Sequence, residues 1–193
     1  MKKFLFLFAC LMLFTTNIDA QRRPHSSRSS STTKTTSKTN RVASSNKKTN
    51  VTESTAQIKA KAEAGDAEAQ YKLSSYYFNS YYSGGQLDTK DLSKAVYWSR
   101  KAAEQGHVKA QSSLGWFYNM GEGVTKDDKQ AVYWYRKAAE KGEAVAQYSL
   151  GICYEEGDGV TKDLNQAVYW YRKAAEQGNT LSINALKRLG VKK

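Results

Sequence analysis

The sequence predicts an all-α fold, an α-solenoid of helix–turn–helix repeats that follows a disordered N-terminal tail. Three observations support this prediction. One block recurs three times at a period of 36 residues, marked by Trp98, Trp134 and Trp170. Within each copy the apolar residues fall at helical spacing. No proline follows Pro24, so nothing interrupts the helices. A repeat of this length built only from helical patterns is typical of a stacked helical array.

Residues 1–20 have the features of a cleavable secretory signal. Two lysines precede the apolar run Phe4–Phe14, whose 11 residues are too few to span a bilayer. The chain then becomes polar and reaches the small Ala20, so we expect cleavage before Gln21 and no transmembrane anchor afterwards. The mature protein would be secreted or periplasmic in a bacterial host. Two alternatives stay open: an uncleaved anchor, and a lipid on Cys10, which ends a weak lipobox.

Residues 21–56 are predicted to be a disordered basic linker. Ser, Thr, Lys and Arg dominate the segment, and it has too few large apolar side chains to offset the entropy cost of ordering. It holds eight Lys or Arg residues and one acid, Glu53, and therefore carries +7 of the formal net charge of +12. The high isoelectric point belongs to this tail, which makes anionic surface polymers a candidate ligand.

Residues 57–193 form the predicted repeat domain, with repeats at about 66–106, 107–142 and 143–178 and a C-terminal cap helix at 179–190. Each repeat has a first helix and a second helix. A glycine at the end of each second helix suits the left-handed position after a helix; these are Gly106, Gly142 and Gly178. Asp127 and Asp163 are predicted N-caps of second helices, with Gln130 and Gln166 reaching back to the cap amides.

The repeated residues resemble the Sel1-like repeat, a relative of the tetratricopeptide repeat. Those that carry the resemblance are Ala146, Leu150, Gly151 and Tyr154 in a first helix, Gly-x-Gly-Val-x-x-Asp at 121–127 and 157–163, and Ala-x-x-Trp followed by Lys-Ala-Ala-x-x-Gly at 131–142. The resemblance implies a right-handed solenoid whose first helices line a concave groove. It also implies a scaffold that binds a protein or peptide.

The first repeat departs from this pattern. Gln70 and Trp98 are 28 residues apart, whereas the equivalent pairs in the other two repeats are 23 apart. Five residues are therefore inserted, at about 78–87, and Ser74 replaces the glycine of the first helix. The sequence leaves the role of this insertion open.

The tryptophans that recur and the first-helix leucines are predicted to form the core: Trp98, Trp134, Trp170, Leu114 and Leu150. The tyrosines that precede the tryptophans fall on the polar face, beside Arg100, Arg136 and Arg172. These tyrosines, Tyr97, Tyr133 and Tyr169, either form a partner-binding column or stack on the arginines at a solvated face.

A second candidate surface lies on the first helices, at Tyr71, Trp116, Tyr148 and Ile152. Trp116 is the one tryptophan that does not recur at the repeat period, so the shared packing does not require it. An exposed tryptophan beside a tyrosine has the composition of an interaction hot spot. We therefore predict a partner-binding groove here. The alternative is that these side chains are buried against a neighbouring helix.

Signals for catalysis are weak. The chain has two histidines, His25 and His107, and Cys153 is the one cysteine left after loss of the signal, so we expect no metal site and a buried thiol. Ser-x-x-Lys matches occur only in the low-complexity tail. We expect no cofactor, no enzymatic activity and no nucleic-acid partner. The prediction is an exported scaffold; the alternatives are an envelope adhesion protein that uses its tail, and a cell-wall-directed enzyme.

Overall fold

The computed structural model describes residues 53–83 and 89–191, which form eight helices and no strand, as the all-α prediction requires. In chain order these are α1 (Thr55–Glu63), α2 (Ala67–Ser83), α3 (Thr89–Glu104), α4 (Val108–Met120), α5 (Asp128–Glu140), α6 (Ala144–Glu156), α7 (Leu164–Glu176) and α8 (Thr180–Arg188). None of these helices is long and apolar enough to cross a membrane. The predicted signal peptide, residues 21–52 of the predicted tail and residues 84–88 of the insertion lie outside the described residues.

The folded part begins before the predicted end of the tail at residue 56. Ser54 caps α1: its hydroxyl accepts from the Gln57 amide at 3.3 Å, and the Gln57 side chain accepts from the Ser54 amide at 2.9 Å. Glu53 pairs with Lys61 of α1 at 2.6 Å and with Lys72 of α2 at 3.3 Å. Residues 53–56 therefore belong to the repeat domain, because they hold α1 against α2.

The second helices begin at the predicted caps, but one detail of the prediction is wrong. The Asp127 carboxylate accepts from the Gln130 amide at 3.0 Å and caps α5. The Gln130 side chain was expected to accept from the Asp127 amide. That amide instead donates to the Tyr118 carbonyl at 2.9 Å, which closes the loop between the two helices of the repeat. The backbone thus satisfies the donor that the side chain was expected to satisfy.

The helices stack in sequence order as a right-handed solenoid. Extensive packing joins each helix to the next one along the chain, from α1 against α2 to α7 against α8. Alanines on the inner face of each second helix have no exposed surface, as at Ala131 and Ala138 in α5. Their small side chains let the first helices approach closely. Leu114 and Leu150 of the first helices fill the space between them and are fully buried.

A tyrosine ring locks the two helices of each of the last two repeats together. Tyr135 is 1% exposed and Tyr171 is 0% exposed. A β-carbon added to Gly115 would lie 2.7 Å from the Tyr135 ring, and one added to Gly151 would lie 2.6 Å from the Tyr171 ring. Both distances are shorter than carbon–carbon contact allows. The glycine is therefore required because the tyrosine ring lies directly against the helix backbone.

The first repeat replaces this glycine–tyrosine contact with a pair of serines. Ser74 stands where the glycine would be, and Ser99 stands where the tyrosine would be. The Ser74 hydroxyl donates to the Ala95 carbonyl at 2.7 Å and lies 2.7 Å from the Ser99 hydroxyl. A short side chain on α3 leaves room for a β-carbon on α2, and hydrogen bonds take the place of ring packing. The departure at Ser74 seen in the sequence is thus compensated across the helix pair.

A buried glutamine joins each first helix to the preceding helix. Gln70, Gln111 and Gln147 donate through Nε2 to the carbonyls of Ala62, Ala103 and Ala139, each at 3.1 Å. These carbonyls lie in the last turn of a helix. Each also accepts a backbone amide, from Gly65 at 3.1 Å and from Gly106 and Gly142 at 3.0 Å, so the glutamine occupies the second lone pair of the oxygen. The same bond at each junction fixes how one repeat follows another.

The acceptor atom of this glutamine is satisfied in the first and third repeats but not in the second. Gln105 donates to Oε1 of Gln70 at 2.8 Å, and Gln177 donates to Oε1 of Gln147 at 2.8 Å. Lys141 occupies the same position in the second repeat and donates to the Gly106 carbonyl at 2.8 Å. Oε1 of Gln111 is buried and has no hydrogen-bond partner among residues 53–83 and 89–191.

The C-terminal helix α8 is anchored through Glu155 of α6. Arg188 donates two hydrogen bonds to this carboxylate, at 2.7 and 2.8 Å, and the Tyr171 hydroxyl donates a third at 2.8 Å. The Arg188 guanidinium lowers the pKa of Glu155 below its ordinary value. Burial, together with the hydrogen bond to Glu155, raises the pKa of Tyr171. The anchor thus keeps a charged carboxylate and a neutral phenol.

Candidate partner-binding surface

The most exposed recurring aromatic side chains of the described chain form one set on the second helices. Tyr97, Tyr133 and Tyr169 are 52%, 47% and 48% exposed, and we call this set the tyrosine ladder. Each lies on the helix face opposite the buried alanines, as the sequence pattern predicted. Because the three occupy the same position in stacked repeats, the solenoid presents them at regular intervals along its outer side.

Each ladder tyrosine is held by the tryptophan that follows it. The rings of Tyr97 and Trp98 meet edge to face at a centroid distance of 5.0 Å, and the equivalent distances are 4.9 Å in α5 and 5.0 Å in α7. Trp134 is buried, whereas Trp98 and Trp170 are half-buried rather than fully inside the core as predicted. The tryptophans therefore support the exposed rings as well as packing inward. A ring held in this way loses little entropy when a partner covers it.

Lysines, and not the predicted arginines, flank the ladder. Lys101, Lys137 and Lys173 lie one turn after their tyrosines, with the ammonium 5.8, 4.7 and 5.3 Å from the ring centroids. These distances are within the range of a cation–π contact. Each rung therefore presents a phenol beside an ammonium group.

The arginines point across the repeat junction. Arg100 lies over the Tyr118 ring at 5.5 Å. Arg136 lies over the Tyr154 ring at 5.9 Å and donates to its hydroxyl at 2.8 Å. Each of these tyrosines belongs to the first helix of the next repeat. The expectation that the arginines stack on the ladder tyrosines is wrong for these two, because the next repeat supplies a closer ring.

The predicted groove on the first helices is not open. Trp116 is 2% exposed, and its indole ring meets the Phe78 ring edge to face at 5.3 Å. Phe78 lies at the α2 position that Asn119 and Glu155 occupy in α4 and α6, so the first repeat alone places an aromatic ring there. The Phe78 ring covers Trp116. The prediction of an exposed Trp116 is wrong, and the alternative, burial against a neighbouring helix, holds.

The other members of the predicted groove are also covered. Tyr71 is 8% exposed and stacks on the His107 ring at 4.7 Å. Tyr148 is half-buried against Tyr171 at 5.7 Å, and burial raises the pKa of its hydroxyl. Ile152 is half-buried in the same cluster, which also contacts α8. The structure therefore does not bring these residues together as an exposed patch.

Two titratable groups of the described residues, the buried Cys153 and the half-buried Glu143, lie in the fold. Burial raises the pKa of the Cys153 thiol to about 12, and burial also raises the pKa of Glu143, which caps α6. No group of three or more His, Cys, Asp or Glu side chains in the described part of the chain could hold a metal ion. The candidate functional features at the surface are the exposed tyrosine rings of the ladder and the lysines beside them. Aromatic rings and cations are suited to recognition of another molecule.

A family model for the Sel1 repeat matches residues 67–107, 108–143 and 144–179. The chain belongs to the Sel1 repeat family. The matched segments cover the helices from α2 to α7 and thus both candidate surfaces. Sel1 repeats are scaffolds that generally mediate protein–protein interaction, so this chain is a Sel1 repeat scaffold.

Solved structures show the same architecture. A protective antigen of uropathogenic Escherichia coli with an SLR fold is 48% identical over 67% of this chain, with a TM-score of 0.60, and the match spans 27% of the antigen. A Sel1 repeat protein from Oxalobacter formigenes is 43% identical over 69% of this chain and 96% of its own, with a TM-score of 0.59. The cysteine-rich protein B of Helicobacter pylori is 26% identical over 67% and 91%, with a TM-score of 0.52. No curated protein sequence matches the chain.

Proposed function

We propose that this protein is an exported Sel1 repeat scaffold that captures a protein or peptide partner on its tyrosine ladder. The observation that carries the proposal is the ladder itself, in which Tyr97, Tyr133 and Tyr169 each stay about half exposed beside a lysine. Tyrosine is enriched among the residues that dominate binding energy at interfaces. Export rests on the signal-like features of residues 1–20.

The ladder supports the proposal better than the first helices do. A residue that must bind a partner has to be accessible, and Tyr71 and Trp116 lie inside the fold. The ladder rings are accessible and already oriented by the tryptophans beneath them. They also belong to the repeat and not to the insertion, so all three repeats can contribute to one extended contact.

The test uses two tyrosines of equal exposure. Tyr133 is 47% exposed on the ladder, and Tyr76 is 50% exposed on α2, a first helix that carries no ladder residue. A photo-crosslinking amino acid at position 133 in the exported protein should trap a defined partner, and the same substitution at position 76 should not. Tyr133→Ala should then weaken capture of the trapped partner by about 2 kcal/mol, whereas Tyr76→Ala leaves it unchanged. Equal crosslinking at both positions would reject the ladder as the binding surface.

A second candidate function rests on charge. Residues 21–56 carry +7 of the total +12, which favours contact with anionic surface polymers. Deletion of residues 21–52, which spares the capped start of α1, distinguishes the two functions. Loss of a salt-sensitive attachment to the cell envelope, with capture by the ladder intact, would assign adhesion to the tail and partner binding to the repeats.

A further inference from the structure

The internal junctions of the solenoid show what the second-helix arginine binds. Arg100 and Arg136 each reach across a junction to a tyrosine ring, Tyr118 and Tyr154 respectively. In the second case the guanidinium also donates to the phenol oxygen at 2.8 Å. The arginine therefore meets the ring of a tyrosine in the next repeat at both junctions, and at one of them it also binds the hydroxyl.

The third arginine of the series has no such ring. Arg172 occupies the same position in α7, but the residue equivalent to Tyr154 is Gly190, because α8 ends at Arg188. Within residues 53–83 and 89–191, Arg172 makes no ion pair and no aromatic contact. The last repeat thus keeps the arginine of the junction without its tyrosine.

A groove opens where that tyrosine would lie. Its volume is about 420 Å³, and its apolar lining comes from both α7 and α8 and from the residue after them: Ala175, Ile183, Leu186 and Val191. Arg172, Glu176 and Lys187 supply its charged rim. A second cavity of about 590 Å³ shares Arg172, Glu176 and Val191 and extends to Tyr169 and Lys173. The groove is therefore continuous with the last rung of the tyrosine ladder.

We propose that this groove, here called the terminal groove, binds a tyrosine side chain of the partner protein with an acidic residue beside it. The proposal rests on the proposed function, since it names what the ladder's partner inserts at the end of the ladder. At the internal junctions the equivalent arginines, Arg100 and Arg136, contact a tyrosine, so Arg172 is expected to contact a phenol in the same way. Charge complementarity favours an acidic neighbour, because three cations, Arg172, Lys173 and Lys187, face one acid, Glu176.

The rest of this chain does not supply the tyrosine. All 13 tyrosines of the sequence lie between positions 71 and 171, and the residues before position 53 hold none. An internal tail segment therefore cannot reproduce the junction contact. A separate protein is the occupant, and a second copy of this chain is the competing outcome that the experiment distinguishes.

The experiment uses the full chain labelled with ¹³C and ¹⁵N and blocked acidic hexapeptides that contain one tyrosine between glutamates. Binding is followed through the side-chain N–H signal of Arg172 and the methyl signals of Leu186 and Val191. We expect saturable shifts, binding several-fold weaker when phenylalanine replaces the tyrosine, and loss of binding when leucine replaces it. Arg172→Gln should weaken binding of the tyrosine peptide about tenfold. Lys129→Gln, an equal charge change on exposed α5, should leave it unchanged.

Two results would overturn the terminal groove. One is equal binding of the tyrosine and leucine peptides, which would reduce the contact to charge attraction. The other is concentration-dependent dimerisation that Arg172→Gln abolishes, which would make a second copy the occupant. Failure of this proposal is distinct from failure of the ladder. If Tyr133→Ala abolishes capture of the partner and Arg172→Gln leaves it unchanged, the terminal groove alone is rejected as a binding site. If neither variant changes capture, the ladder is rejected as well.

Discussion

The unsatisfied oxygen of Gln111 makes Lys141→Gln a stabilising substitution. Both other repeats place a glutamine at this position, and its Nε2 reaches the acceptor of the buried glutamine on the first helix at 2.8 Å. In the third repeat the same Nε2 also donates to the Gly142 carbonyl at 2.9 Å. A glutamine at 141 should likewise bridge Gln111 and the Gly106 carbonyl, so it keeps the contact that Lys141 makes now.

The expected gain follows from two opposing terms. A buried acceptor without a partner costs about 1–3 kcal/mol. Removal of a cation from the end of α5 loses about 0.3–1 kcal/mol of favourable interaction with the helix dipole. The difference is a gain of about 1 kcal/mol in the free energy of unfolding, which corresponds to a rise of roughly 3 °C in melting temperature for a domain of this size.

Urea unfolding of the full chain, followed by far-UV circular dichroism, measures this change. The reciprocal variant Gln177→Lys should lose about the same free energy, because it leaves Oε1 of Gln147 without its donor. Lys141→Met is the control, since it removes the charge and supplies no donor, and we expect it to be neutral or slightly destabilising. If Lys141→Met stabilised the protein as much as Lys141→Gln, the charge and not the buried oxygen would be responsible, and the reasoning would be refuted.

Three further predictions concern the core and the C-terminal anchor. Gly151→Ser places a serine where the first repeat has one, but keeps the Tyr171 ring where the first repeat has Ser99. The new β-carbon would meet that ring, so we expect the free energy of unfolding in urea to fall by about 1–3 kcal/mol. In the first repeat, the double variant Ser74→Gly with Ser99→Tyr should be more stable than Ser99→Tyr alone. Cys153, whose pKa burial raises to about 12, should react with a thiol reagent at pH 8 about a thousandfold more slowly than in the unfolded chain, and rapid labelling of the native protein would contradict its burial. Because Arg188 lowers the pKa of Glu155 in the folded state, the contribution of this pair is complete above the ordinary value of 4.5 and is lost as the pH falls through the lowered value. Glu155→Gln should cost about 1 kcal/mol or less at pH 7 and flatten the acid limb of a stability–pH curve, which an unchanged limb would disprove.

The repeated part of the fold could be predicted because its signals are local and recur. The period of 36 residues, the Asp127 cap and the glycine after each second helix each depend on a few neighbouring residues. The exposure of the ladder tyrosines follows from the same helical spacing. Spacing alone did not separate the neighbours Trp134 and Tyr135. Both fall near the core face, and the packed structure buries Tyr135 completely while Trp134 lies at the edge.

An aromatic residue peculiar to the first repeat explains why the first-helix site could not be predicted. Comparison between repeats indicates which positions the shared packing requires. Trp116 does not recur in the other repeats, so this comparison did not assign it to the core. Its burial depends on Phe78, whose position holds Asn119 and Glu155 in the other repeats. The partner of Trp116 was therefore invisible to a comparison of equivalent positions. The reach of Arg100 and Arg136 across the junctions was missed for a related reason, since a single-helix pattern does not show which ring the next repeat supplies.

Packing between consecutive helices also has a consequence for how the protein folds and opens. In the described part of the chain, extensive contacts join only helices that are neighbours in sequence. This low contact order favours rapid folding, because no distant segments of that part must meet before native structure becomes favourable. Stability is then shared between adjacent repeats, and among the described helices α1 and α8 each pack extensively against one neighbour. Amide hydrogen exchange should therefore be fastest in these two end helices and slowest in α4 and α5, so that opening proceeds inward from both ends.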